Sequence, residues 1–209
     1  MDITKLEHSG IAITKDGQTL LCDPVEFTTK LPLFQNVVAI VITHGHNDHF
    51  QTNVINNILS TNPTARVFTP ADTTRYLLNA EPVKAGDAKE IGDFTLKFFG
   101  ANHAAIIEEQ IPCMNVGVMI DDVVANPGDS FDKPPVTPKV LFAPLAAPWC
   151  KVSDTVKYIK DVKPEIVIPF HDAVLSDLGK TFNNNWLKST CESASVKFTP
   201  LTPGQSITI

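Results

Sequence analysis

The chain has 209 residues, a formal net charge of −6, 43% hydrophobic and 19% charged residues. These proportions exclude a disordered chain and allow one domain with a sizeable core. The acidic balance argues against nucleic acid as the main partner, because phosphate neutralisation needs clustered Lys and Arg.

In chain order, Ile3 to Leu6, Gly10 to Thr14 and Thr19 to Cys22 read as short strands, with a hairpin turn at Lys15-Asp16-Gly17-Gln18. Met1 to Lys5 has no basic region followed by an apolar run, so no secretory signal is expected and the cytoplasm is the expected location. Asp23-Pro24 stops the third strand, and Val25 to Asn36 reads as a loop. Val37 to Ile42 is a continuous β-branched run, expected as a strand buried on both faces. It is far too short to cross a bilayer. A helix is expected from Thr52 to Leu59, a strand at Arg66 to Phe68, and a helix from Pro70 to Asn79.

Two strands broken at Gly92-Asp93 fill Ala88 to Gly100. A hairpin about Asp121-Asp122 joins Asn115–Ile120 to Val123–Ala125, and Phe131 to Pro138, with three prolines, is irregular. Val140 to Ala143 is another apolar strand. Ser153 is the expected N-cap of a helix reaching Val162. Glu165 to Pro169 forms a strand, Leu175 to Ser189 a helix, and short strands follow near Val196–Phe198 and Ser206–Ile209. No repeat or linker interrupts this order, so residues 1–209 read as a single α/β domain. The four cysteines are scattered without a CxxC pair and read as free thiols.

Three of the six histidines fall within six residues, in His44-Gly45-His46-Asn47-Asp48-His49. His103, Asp129 and His171 each follow a predicted strand. Strand ends fix position, and the loops after them can turn side chains into one cleft. His44 and His46 are two apart and point the same way in an extended segment, so they can share one ion. Asp48 and His49 can face a second; His103 would complete the first site, His171 the second, and Asp129 could bridge them. Imidazole and carboxylate donors suit two divalent ions, zinc first, with manganese or iron also accepted. Two such ions bring four positive charges, and two aspartates with one hydroxide offset about three. The remaining charge lowers the pKa of a bound water to about 7 and polarises a carbonyl or phosphoryl oxygen.

His44-x-His46-x-Asp48-His49, then His103, Asp129 and His171, resemble the five-motif pattern of the metallo-β-lactamase-fold hydrolases. Asp23 resembles that family's first motif, and the His8-Ser9-Gly10 start resembles its small branch of ascorbate-6-phosphate lactonase-like, Zn-dependent hydrolases. The resemblance runs in order over almost the whole chain. It implies a four-layer αββα sandwich, two mixed sheets flanked by helices, with metals at one edge. It implies His44, His46 and His103 on one ion, Asp48, His49 and His171 on the other, and Asp129 between them.

The expected reaction is hydroxide attack on a small ester-like substrate, a lactone or a phosphate-bearing, anionic molecule, with Asp48 as ligand and proton acceptor. A nuclease of the same superfamily and a non-catalytic metal-dependent binding protein are the alternatives. A homo-oligomer is compatible with the sequence. Asp23 reads equally as a carboxylate orienting a ligand histidine or as a turn residue. His8 reads as structural or as supporting a ligand, with direct ligation the lesser alternative, Asp172 as a solvated or capping residue, and Phe27, Phe131 and Trp149 as packing in preference to pocket lining. The Ala104–Pro112 loop and the Pro-rich stretch after Asp129 are expected to decide the substrate.

Overall fold

The computed structural model describes residues 1–109 and 111–209. Gln110, within the Ala104–Pro112 loop, lies outside the described residues.

The first sheet begins as a meander. β1 (Asp2–Lys5), β2 (Ile11–Lys15) and β3 (Gln18–Cys22) are antiparallel neighbours. β4 (Val37–Val41), β5 (Arg66–Thr69) and β6 (Glu81–Pro82) then add in parallel, each to the last. In the second sheet β7 (Ala88–Ile91), β8 (Phe94–Phe99), β9 (Gly117–Ile120) and β10 (Val124–Asn126) run antiparallel. β11 (Val140–Pro144), β12 (Ile166–Phe170) and β13 (Lys197–Phe198) continue it in parallel. β14 (Ser206–Thr208) returns to pair with β1, so each mixed sheet has seven strands among the described residues.

The strand faces explain the layers. Ile13, Leu20, Ala39, Val41, Phe68, Phe98, Val118, Phe142 and Phe170 meet between the sheets. On the outer face of the first sheet, Leu21, Ile40 and Ile42 pack with Val54, Ile55 and Ile58 of α1 (Thr52–Thr61). On the outer face of the second, Leu141, Ala143 and Val167 pack with Tyr158 and Ile159 of α2 (Val152–Val162) and Leu187 and Cys191 of α3 (Asp177–Ser193). This is the expected four-layer αββα order.

β4 shows how the core places the site. From Ala39 on its residues alternate between the inter-sheet core and the α1 face, as a strand buried on both faces must; at Val38, where the register with β3 shifts, two consecutive residues face the inter-sheet core. Its fully buried Val and Ile side chains each contribute about 1.5–3 kcal/mol by burial. Slipping the strand by one residue would exchange both faces at once, so the position of His44, just past its end, is determined by packing.

Two expected elements differ. Pro70–Asn79 is not a helix; it holds turns and one 3-10 turn, Thr74–Tyr76. Thr74 Oγ1 donates to the Ala71 carbonyl at 2.8 Å, and Thr73 Oγ1 donates to Asp72 Oδ1 at 3.1 Å. These local bonds compete with a helix, and the segment has no apolar stripe to reward one. Ser153 lies inside α2, whose first residue is Val152 and whose cap position is Lys151. α3 is capped by Ser176, whose Oγ accepts from the Gly179 N–H at 3.2 Å. The four cysteines are free, Cys22 and Cys191 buried and Cys113 and Cys150 partly so.

Candidate metal centre

The parallel strands β3, β4, β10, β11 and β12 send their C-terminal ends to one edge. Asp23, His44 to His49, Asp129 and His171 follow those ends, and His103 follows β8. Two groups form there: His44, His46, His103 and Asp129, and His8, Asp48, His49 and His171. Within each, one potential ligand atom per residue lies within 4.8 Å of the others. All seven residues singled out from sequence are brought together, and His8 joins the second group.

The backbone at Asp129 is tightly held. Gly128 has φ 62°, and a Cβ there would meet Asn115 Oδ1 at 2.4 Å and Thr43 Cβ at 2.7 Å. Only glycine suits that turn. The Asn115 amide spans it, accepting from the Asp129 N–H at 3.0 Å and donating to the Pro127 carbonyl at 2.9 Å. Gly128→Ala is expected to destabilise the chain by about 2–3 kcal/mol. Denaturant unfolding measures this, and a change under 0.5 kcal/mol, roughly the surface-substitution level, would contradict it.

Hydrogen bonds select the tautomer of most of the histidines. His49 Nδ1 donates to Asp23 Oδ2 at 2.8 Å. His103 Nδ1 donates to the Ala104 carbonyl at 2.5 Å and His171 Nδ1 to the Ala146 carbonyl at 2.8 Å. Thr43 Oγ1 donates to Asp23 Oδ2 at 2.7 Å, so it accepts from His44 Nδ1 at 3.0 Å. Each of these rings thus turns an Nε2 lone pair inward. His46 instead turns Nδ1 inward, 3.1 Å from His44 Nε2, while its Nε2 lies 3.7 Å from Cys113 Sγ.

Asp129 faces both groups. Its Oδ1 is 3.0 Å from His49 Nε2, and its Oδ2 is 3.2 Å from both His103 Nε2 and His171 Nε2. Asp48 Oδ2 is 3.5 Å from His171 Nε2. His49 Nε2, His171 Nε2 and Asp129 Oδ1 are buried without a hydrogen-bond partner in the chain. Such atoms are costly unless something satisfies them. Lone pairs and carboxylate oxygens aimed at one another suit cations, and neighbouring donors on a tetrahedral zinc lie about 3.3 Å apart. The residues therefore fit divalent metal ions.

The charges agree. Burial opposes ionisation of Asp129, but His49 and His171 outweigh it and hold its carboxyl well below the usual range. Burial likewise opposes a charged His171, yet Asp129 and Asp48 raise its pKa to about 9. His49 is raised too, burial being outweighed by Asp129 and Asp23. A metal-free centre at pH 7 therefore holds protons that ions must displace. Loading metal in weakly buffered solution is expected to release about one to two protons per chain. The same linkage makes uptake tighten as pH rises toward 9. Pairing with Asp129 stabilises the metal-free chain below the unfolded histidine value of 6.5, and that contribution is lost as pH rises through about 9. Metal uptake without acidification would contradict this.

Asp23 is resolved in favour of orientation. It is fully buried, accepts from the Thr43 N–H at 2.7 Å, and holds His49. Trp149, read from sequence as packing, donates its indole N–H to Asp129 Oδ2 at 3.1 Å. Its ring also lies edge-on to His103 and His171. A lone tryptophan in a loop carries no sequence signal for that contact. Asp172 accepts from buried Lys5 Nζ at 2.8 Å and so ties the turn after β12 to β1.

Comparisons with known proteins give the family and the fold. The family model described as beta-lactamase superfamily domain matches residues 2–171. The chain is 32% identical to Protein Rv0786c of Mycobacterium tuberculosis over 186 residues, 84% of this chain and 86% of the relative. It is 24% identical to a UPF0173 metal-dependent hydrolase of Lysinibacillus sphaericus over 197 residues, 82% of this chain and 85% of the relative. Its fold resembles that of a Parabacteroides distasonis protein named as a metal-dependent hydrolase, with TM-score 0.79 and 20% identity, covering 95% of this chain and 91% of the other. The chain belongs to the beta-lactamase superfamily.

Proposed function

We propose that this chain is a metal-dependent hydrolase working through a two-ion centre on a small ester-like bond. The observation that carries the reading is Asp129, whose two carboxylate oxygens face imidazoles of both groups. His44, His46 and His103 would hold one ion, Asp48, His49 and His171 the other, and Asp129 would serve both. Bound divalent ions, zinc foremost, would supply hydroxide at neutral pH and polarise the bond to be cleaved.

The chain's own residues do the rest. Asp23 aims His49, and the Trp149 indole steadies Asp129. His44, His49, His103, Asp129 and His171 are buried, whereas His46 and Asp48 are partly exposed. A substrate therefore meets the His46–Asp48 side first, which suits a small reacting group. Asp48, with 27% of its side chain exposed, is the carboxylate on that open side. Burial opposes its ionisation, but hydrogen bonds to His171 and His8 outweigh it and hold its carboxyl well below the usual range, which suits a ligand and not the proton acceptor expected from sequence. A lactone or a phosphate-bearing molecule is the favoured substrate class.

The test has two arms. Metal content is measured for the unaltered chain and His46→Ala; two ions falling to about one is expected. Lactones, phosphate esters, phosphodiesters and thioesters are then screened with the metal-loaded chain. Full metal retention in the variant, or no turnover of any class, would sink the proposal. Turnover restricted to RNA would favour the nuclease alternative instead.

A further inference from the structure

His8 lies against the second group without belonging to the ligand set expected for it. Its side chain is fully buried. The ring lies 4.0 Å from the His171 ring and stacks on Phe27 at 5.1 Å. Its Nε2 is 3.3 Å from Asp48 Oδ2. By proximity alone it would count as another ligand.

The other ring nitrogen decides otherwise. The Ala173 N–H donates to His8 Nδ1 at 3.1 Å. A neutral imidazole carries one proton, so with Nδ1 accepting, the proton sits on Nε2. That nitrogen then donates to Asp48 and keeps no lone pair for an ion. The arrangement is the reverse of His49, His103 and His171, which donate from Nδ1 and leave Nε2 free. Segment 8–9 also holds the backbone nearby. Ser9 Oγ donates to the Asp48 carbonyl at 2.6 Å, and the His8 carbonyl accepts from the His171 N–H at 2.9 Å. His171 has φ 60°, a left-handed conformation that needs such support.

We propose that His8 is a positioning residue for the second ion: it orients Asp48 through Nε2–H, and the Ala173 N–H at Nδ1 fixes the tautomer that makes this possible. The inference rests on the two-ion reading. It ties the first strand–loop of the chain to a site otherwise built from later segments.

Two amide variants separate the two ring nitrogens. The Asn side-chain oxygen falls near the place of Nδ1 and can accept from Ala173. The Gln side-chain nitrogen falls near the place of Nε2 and can donate to Asp48. Metal-stripped full-length chain is titrated with Zn²⁺ and, separately, Co²⁺, the latter followed by its absorption spectrum. Thermal unfolding of each metal-free variant checks folding.

The unaltered chain is expected to take two ions. His8→Ala and His8→Asn are expected to weaken one of them by about 10–100-fold and leave the other unchanged. His8→Gln is expected to stay within a few-fold of the unaltered chain. Unaltered affinity in His8→Ala overturns the proposal, as does rescue by Asn and not Gln, which would mark a purely backbone role. Failure of both amides in folded protein also overturns it, in favour of direct ligation. If His8→Ala does not fold, the Gln and Asn variants decide alone. One ion in the unaltered chain overturns the two-ion reading itself, and this inference with it.

Discussion

Asp129→Ala, loaded with metal like the unaltered chain, is expected to lose both ions and at least three decades of kcat/KM. Both groups depend on this carboxylate, which stands 3.0 Å from His49 Nε2 and 3.2 Å from His103 and His171 Nε2. Without it, Asp48 is the single carboxylate among the proposed ligands to balance four positive charges. Three decades corresponds to about 4 kcal/mol, within the several kcal/mol that metal ions contribute to a transition state. Asp129→Asn keeps the shape and the Trp149 contact surface but removes the charge, and a nearly equal loss is expected. Metal analysis with kinetics on a substrate from the screen checks both. Two tightly held ions in either variant would contradict a shared Asp129.

Lys5→Met is expected to destabilise the metal-free chain by about 3 kcal/mol, because breaking a buried ion pair strands its partner. That corresponds to a fall in Tm of about 6–12 °C for a chain of this size. Lys5 is 1% exposed and bonds Asp172 at 2.8 Å; Lys180, the remaining cation, is 3.8 Å from the same oxygen. Burial pulls the Lys5 pKa below the ordinary lysine value, with Asp172 opposing. Lys5→Met combined with Asp172→Leu is expected to recover part of the loss, since a pair of apolar residues strands no charge. Thermal and denaturant unfolding check this, and a Tm change under roughly 2 °C in Lys5→Met would show that the pair contributes little. Because Asp172 adjoins His171, weaker uptake of the second ion should accompany the loss.

Much of this chain was legible as a string. The β-branched run at Val37–Ile42 announced a strand buried on both faces, and its packing against both core and α1 agrees. Three histidines and an aspartate within six residues, followed by His103, Asp129 and His171 after strands, marked the residues that meet at one sheet edge. Such features are local: hydrophobic period and residue spacing survive without the fold. Pro70–Asn79 misled because its early proline resembled a helix start, whereas threonine side-chain bonds within the segment favour turns.

The sequence by itself determined the chemical inventory: imidazoles and carboxylates without thiolate pairs, ordered along alternating strands and helices. Only the tertiary structure decided how each of those groups is oriented. Asp23 became the holder of His49 when β3 and β4 paired and placed it against Thr43. Trp149 reached Asp129 across a loop with no motif to mark it. His8 received its proton assignment from Ala173, 165 residues away in sequence. Spacing states which atoms can reach a site, but lone-pair direction depends on the partner of the other nitrogen, and that partner exists only once the sheets have packed.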